Sequence, residues 1–298
     1  MYKRQDKDSR QEEFWARAEW ARRSGDSAFR VSMFDELNKI GAEPVSWFTP
    51  QLFGMMALAT STEIDPALAS VADQLVRSLA SRLVGKTVQS PYGSPLGPTE
   101  FWWGSNETAL FRAQTMVFSE ALRANEGHGD AALEVLHHVL GVNALDTSFV
   151  AGFGQKAIRQ PYHWSTFVYG HPMPGWITGG PNNQFSTLKD VAYDQPLYDL
   201  VKGRKTPAAK SYLDLCSASG SFASNEGQTT EQAALVFLSG WFAGSGAWAE
   251  PSVSVSVEHR ARAVRKAGTR LEMRGGHLRL VLEDGTDAGA LRGLSGRR

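Results

Sequence analysis

The run DPALASVADQLVRSLASRLV, Asp65 to Val84, constrains this chain more than any other stretch. Leu68, Val71, Ala72, Leu75, Val76, Leu79 and Leu83 recur at i, i+3 and i+4 spacing and so share one face of a helix. Asp65 supplies an N-cap, and Pro66 fits the first turn, where its missing N–H costs nothing. Such a stripe has to be buried against other helices. PQLFGMMALAT before it, and NETALFRAQTMVFSEALRA and DAALEVLHHVLG after it, read the same way, the last with Asp130 as cap and Gly141 as stop. Short turns between such helices imply antiparallel neighbours.

Composition agrees with a buried core: 42% of the 298 residues are hydrophobic and 21% charged. The 31 basic and 31 acidic residues cancel, which argues against a nucleic-acid partner. Cys216 is the single cysteine, so an intrachain disulfide or a multi-cysteine metal site is excluded. Gly, Ser or Gln interrupts every long apolar run, and no membrane span is expected. The opening MYKRQDKDSRQEEFW lacks the apolar core of a signal peptide. The expectation is either a protein that stays inside the cell or a chain whose natural beginning lies upstream.

The texture changes twice. Val142 to Gly220 is dense in Gly, Pro, Ser and aromatics, a length of irregular chain that usually carries binding or catalysis. Residues 247–298 look like a separate β-rich appendage, distinct from a catalytic portion over residues 1–246. PSVSVSVEH alternates with period two, and TRLEMRGGHLRLVLEDG reads as two strands about Gly275-Gly276.

Two features point to chemistry. Trp102 and Trp103, then Tyr162, His163 and Trp164, then Trp176 cluster in or beside Gly-rich turns. Aromatics on loops either fill the space beneath them or stack on flat, partly apolar faces such as sugar rings. For the set, a sugar cleft is the expectation. Glu226 stands where a small-residue loop gives way to an apolar helix. With Asn225 as N-cap it is a first-turn acid favoured by the helix dipole.

WWGSN, LGVNALDTSFVAGFGQKAIRQPYHW, MPGWITGGPNN and SYLDL…SFASNEGQTTEQAALVFL follow one another from Trp102 to Phe242 in an order that resembles glycoside hydrolase family 9, inverting cellulases and related β-glycosidases. The resemblance implies an all-α fold, here an incomplete (α/α)6 toroid carrying a long loop-rich insertion and the small β-rich tail. It makes Glu226 the catalytic acid, and Tyr162, His163, Trp164, Trp103 and Trp176 the sugar contacts. A general acid must keep its proton near neutral pH, so burial at the cleft edge has to outweigh the helix terminus. The implied substrate is a β-glucan, cellulose or its oligosaccharides first, and the implied location of the full-length protein is extracellular.

Departures from the family pattern matter as much. Tyr162 stands at the family's sugar-contacting histidine and Trp164 at its arginine, so an altered sugar or an exo-acting β-glucosidase or β-glucosaminidase stays open. After Glu226, Gln228 and Gln232 replace a small residue and an Asn. An inverting enzyme also needs a second carboxylate roughly 6.5–9.5 Å away to activate water. The Asp-x-Gly-Asp motif that supplies it is absent, and Asp26 and Asp130 keep only a Gly-Asp half. The chain therefore looks like the C-terminal portion of a longer enzyme, or else a sugar-binding or degenerate module. No cofactor is expected. Calcium, which some family members carry, is conceivable only at Asp190, Asp194 and Asp199, without a recognised ligand spacing. His137 and His138 are neighbours on one helix and diverge too far to share a metal.

Overall fold

A computed structural model describes residues 9–24, 26–46, 49–124, 126–184, 194–217 and 221–244, with three strands in the tail. The helices are α1 (Arg10–Ser24), α2 (Ser27–Ile40), α3 (Gln51–Ala59), α4 (Pro66–Gln89), α5 (Ser105–Leu122), α6 (His128–Val139), α7 (Trp164–Tyr169), α8 (Gln195–Tyr198), α9 (Phe222–Asn225) and α10 (Thr229–Ala243). Asp65 caps α4 as its spacing predicts, accepting the amide of Ala67 at 2.7 Å. Leu68, Ala72, Val76, Leu79 and Leu83 form its buried stripe. The helix runs through Gly85 to Gln89, beyond the apolar pattern.

Helix α5 is the hub. It packs against α4, α6 and α10, while α1 packs on α3 and α3 on α4. Its buried face includes Ala109, Leu110, Ala113, Met116 and Val117, the small residues permitting close approach. These join Leu52, Met55, Phe149, Ile158, Ile177 and Leu238 in one core. The architecture is helical, as the fold class requires.

Two caps differ from expectation. At α6 the N-cap is Gly127 at φ +73°, and the exposed Asp130 lies in the first turn, where it serves the helix dipole instead. At α10 the helix starts at Thr229, not Glu226, and Asn225 belongs to α9. Backbone partners elsewhere explain this. Tyr162 N donates to Asn225 O at 3.0 Å and Gly179 N to Glu226 O at 2.8 Å, which holds Glu226 extended. A capping box then opens α10, with Gln228 N donating to Glu231 Oε2 at 2.9 Å.

The irregular middle is ordered by carboxylates and amides that satisfy backbone groups. Asp214 accepts the amides of Arg159 and Gln160 at 2.7 and 2.8 Å. Asp194, buried, accepts those of Ser221, Ala223 and Leu197. Asp194 is thus a structural cap; of the other aspartates named for calcium, Asp199 accepts from Gln195 and Asp190 lies outside the described residues. Among the described residues no three His, Cys, Asp or Glu side chains gather as a metal would need. Asp26 caps α2 through the amide of Phe29.

By contact the chain divides into two compact units, residues 1–245 and 246–298. In the second, β1 (Thr269–Arg274) and β2 (His277–Leu282) pair antiparallel, Thr269 opposite Leu282 and Arg274 opposite His277. These are the two expected strands. β3 (Asp287–Ala290) adds antiparallel to β2 with a register irregularity. The alternating PSVSVSVEH lies outside the described residues. No helix among the described residues is long and apolar enough to cross a membrane.

Candidate active site

Four separate loops meet around Glu226, and backbone hydrogen bonds make most of the joints. The start of α5 docks on the segment 178–181: Asn106 N donates to Gly179 O at 2.9 Å, Asn106 Nδ2 to Thr178 O at 2.8 Å, and Ser105 Oγ to Pro181 O at 2.7 Å. Gly180 must be glycine, since it takes φ +89° and a Cβ would lie 2.5 Å from the Asn106 side chain. The same segment grips the other side, with Gly180 N donating to Ser224 O at 2.8 Å. Tyr162 supplies the fourth contact through its bridge to Glu226.

Asn225 locks these pieces together from within the core. Its Oδ1 accepts the Tyr212 hydroxyl, and its Nδ2 donates to Gln160 O and Leu215 O. The Tyr212 hydroxyl also meets Thr178 Oγ1 at 3.1 Å. Burial first, then the charge of Asp214, pushes the Tyr212 phenol well above its usual range, so it stays neutral.

Glu226 follows, half-buried, and burial raises its carboxyl above the ordinary glutamate range. With the residue extended rather than in a first turn, the helix terminus expected to oppose that shift is displaced to Thr229. Gly227 is pressed onto Trp176 and Ile177: a Cβ there would lie 2.3 Å from Ile177 O and 2.5 Å from Trp176 Nε1.

The expected aromatics take different stations. Trp176 is half-buried against the core, its ring 4.4 Å from that of His163. His163 caps α7 by accepting the Ser165 amide. Tyr162 lies 5.8 Å and Trp103 5.5 Å, ring to ring, from Phe222. Trp103 packs with Leu197, Val201 and Ala223. Tyr162, Trp103 and Trp176 thus border the Phe222–Gly227 stretch, with His163 beside Trp176. Trp164 instead faces solvent, 77% exposed, 6.3 Å from the Phe167 ring, with Val168 and Tyr169 also exposed.

Two further carboxyls, which the motifs do not single out, lie behind Glu226. Glu231 is fully buried in the first turn of α10, and Glu107 is buried in the first turn of α5. The Gln228-x-x-Glu231 spacing was the available signal for the former. Burial holds Glu231 well above the ordinary range, and the charges of Glu107 and Glu226 add to it against the Gln228 amide. Burial likewise raises Glu107, offset by a hydrogen bond from Thr230.

Comparison with known proteins accords with this geometry. The family model for glycosyl hydrolase family 9 matches residues 1–239. Cellodextrinase of Butyrivibrio fibrisolvens is 33% identical over 174 residues, covering 57% of this chain and 30% of the relative. Endoglucanase C of Cellulomonas fimi is 27% identical over 258 residues, covering 83% of this chain and 22% of the relative. The solved family 9 endoglucanase J30 superposes with a TM-score of 0.70 at 27% identity, over 78% of this chain and 42% of that one. The chain thus spans less than half the length of each. By its matched motifs and their packing, this chain belongs to glycosyl hydrolase family 9.

Proposed function

We propose that residues 1–246 form the acid-bearing portion of an inverting glycoside hydrolase that cleaves β-linked glucans, with residues 247–298 as an appendage. Glu226 is its general acid. The observation that carries this reading is a half-buried Glu226, its carboxyl raised by burial, fixed among four loops and lined by aromatic rings. Glu226 gives its proton to the glycosidic oxygen, which leaves as a neutral alcohol while water adds to the anomeric carbon from the opposite face. The water-activating carboxylate has no Asp-x-Gly-Asp motif here to supply it, and we place it outside these 298 residues. Cellodextrinase and endoglucanase among the relatives support cellulose or its oligosaccharides as substrate.

A second reading, sugar binding without cleavage, draws on the same missing carboxylate. Hydrolysis of cello-oligosaccharides by the chain alone does not separate them, because both expect none: loss of the base removes about 10²–10⁴-fold. The deciding experiment restores a family 9 N-terminal portion and compares Glu226→Gln with its parent. On substrates with poor leaving groups turnover collapses while sugar affinity stays; on activated aryl glycosides, whose leaving group departs as a stable anion, the loss is much smaller. Equal, mild losses on both would leave Glu226 a bystander.

A further inference from the structure

The first turns of α5 and α10 bring two acids to one place, and among the described residues no cation acts on either. Glu231 Oε2 accepts from Gln228 N, but Glu231 Oε1 is buried without a hydrogen-bond partner, and so is Glu107 Oε1. Both carboxyls border Gly104. A Cβ on that residue would lie 3.1 Å from Glu107 Oε2 and 3.7 Å from Glu231 Oε1. Two bare carboxylates at such a place would repel in a medium that screens poorly. An unpartnered carboxyl oxygen is also costly to bury, unless it carries a proton and donates it.

We propose that Glu107 and Glu231 hold one proton between them, on Glu231 Oε1 with the Glu107 carboxylate as acceptor, and that this pair is a positioning device for Glu226. The link to Glu226 runs through Gly179. Glu231 Oε1 lies 3.5 Å from where a Cβ on Gly179 would stand, and Gly179 N holds Glu226 O. The shared proton lets the two helix starts close on the 178–181 segment; without it their charges would push α5 and α10 apart at the point that anchors the acid. The charges acting on Glu231 are Glu107 from α5 and Glu226 from the chain just before α10, and no charged group of α6, which also packs on α10, acts on it. Arg112, further along α5, is engaged by Glu100.

The significance for catalysis rests on Glu226 being the acid, but the proton itself does not. Infrared spectroscopy of the intact chain tests it. In the Glu226→Gln background, where the acid's own proton is gone, the protein at neutral pH should still show the carbonyl stretch of a protonated carboxylic acid, and adding Glu231→Gln should abolish it while leaving the circular dichroism unchanged. Glu107→Gln should move the titration of Glu231 to lower pH. Carbon-13 carboxyl titration adds a readout that a purely structural role would not move: the Glu226 signal should show a second inflection at the pH where Glu231 ionises, absent in Glu231→Gln. A folded Glu226→Gln chain without the acid band at neutral pH, a band that survives the added Glu231→Gln, or an unmoved titration in Glu107→Gln would each overturn the proposal. If Glu231→Gln does not fold, the Glu231 carboxyl signal of the unmodified chain decides by itself, protonated at neutral pH for the proposal and ionised against it. Failure here would leave the leaving-group contrast of Glu226→Gln untouched, and failure of that contrast would leave the proton in place.

Discussion

Tyr162 and Glu226 pair as an isolated β-bridge, 64 positions apart in the sequence yet side by side in the fold. The bridge takes up backbone groups that a helix starting at Glu226 would have used, and Gly227 lets the chain pass over Trp176. Gly227→Ala should therefore fail locally. Its Cβ meets a backbone carbonyl, which cannot swing aside, so a cost of about 1–3 kcal/mol is expected. Urea unfolding measures it, and an unchanged midpoint would mean that the 176–177 segment yields freely.

Trp164 and Trp103 should separate in their effects. Trp164→Ala removes an exposed ring, so stability should hold within about 0.5 kcal/mol. Affinity for cello-oligosaccharides should fall roughly 2- to 10-fold if the ring stacks on sugar. Trp103→Ala empties a place among Leu197, Val201, Ala223 and Phe222 and should cost about 2–4 kcal/mol of folding stability. Calorimetric binding and urea titration of both variants give the comparison; matching profiles would contradict it.

Asn225 should tolerate no simple replacement. Alanine deletes the contacts to Tyr212, Gln160 and Leu215 and leaves buried groups unpaired, at about 2–4 kcal/mol. Aspartate keeps an acceptor for Tyr212 but turns an oxygen toward two carbonyls. Asn225→Asp should therefore lose stability further as pH rises and the new carboxyl ionises, whereas Asn225→Ala should show no such added slope.

Glu100 predicts the behaviour in acid. Two hydrogen bonds from Arg112 and one from Gly97 N hold its carboxyl down at about 2. A depressed carboxyl stabilises the fold fully above the ordinary glutamate range and progressively less as pH falls toward about 2. Glu100→Gln should flatten that limb of the thermal stability profile. Glu231 works in the opposite sense: its raised carboxyl makes stability fall as pH climbs from the ordinary glutamate range, and Glu231→Gln should remove that decline.

Periodicity made α4 legible down to its cap, because a stripe such as Leu68–Leu83 has one way to be buried. The motif order disclosed the family. What stayed hidden was set by distant partners. Nothing local to SNEGQTTEQ says that Gly179 and Tyr162 will claim residues 225 and 226, and helix propensity loses to those contacts. Asp194 looks like a loop ligand until Ser221 and Ala223 arrive to use it. Glu107 and Glu231 look like ordinary first-turn acids, since their conflict exists only once two helices from opposite ends of the motif series touch.

The joints between the four loops run largely through main-chain amides and carbonyls, with Asn106, Ser105 and Asn225 as pegs. Main-chain bonds do not depend on which side chains the loops display. Tyr162 and Trp164, standing where the resemblance places histidine and arginine, could thus be exchanged without disturbing the scaffold that fixes the acid. If Glu226 is the acid, evolution acting on such a frame can retune which sugar is recognised while Glu226 stays where it is, a division of labour by which one ancestral cleft diversifies into many specificities.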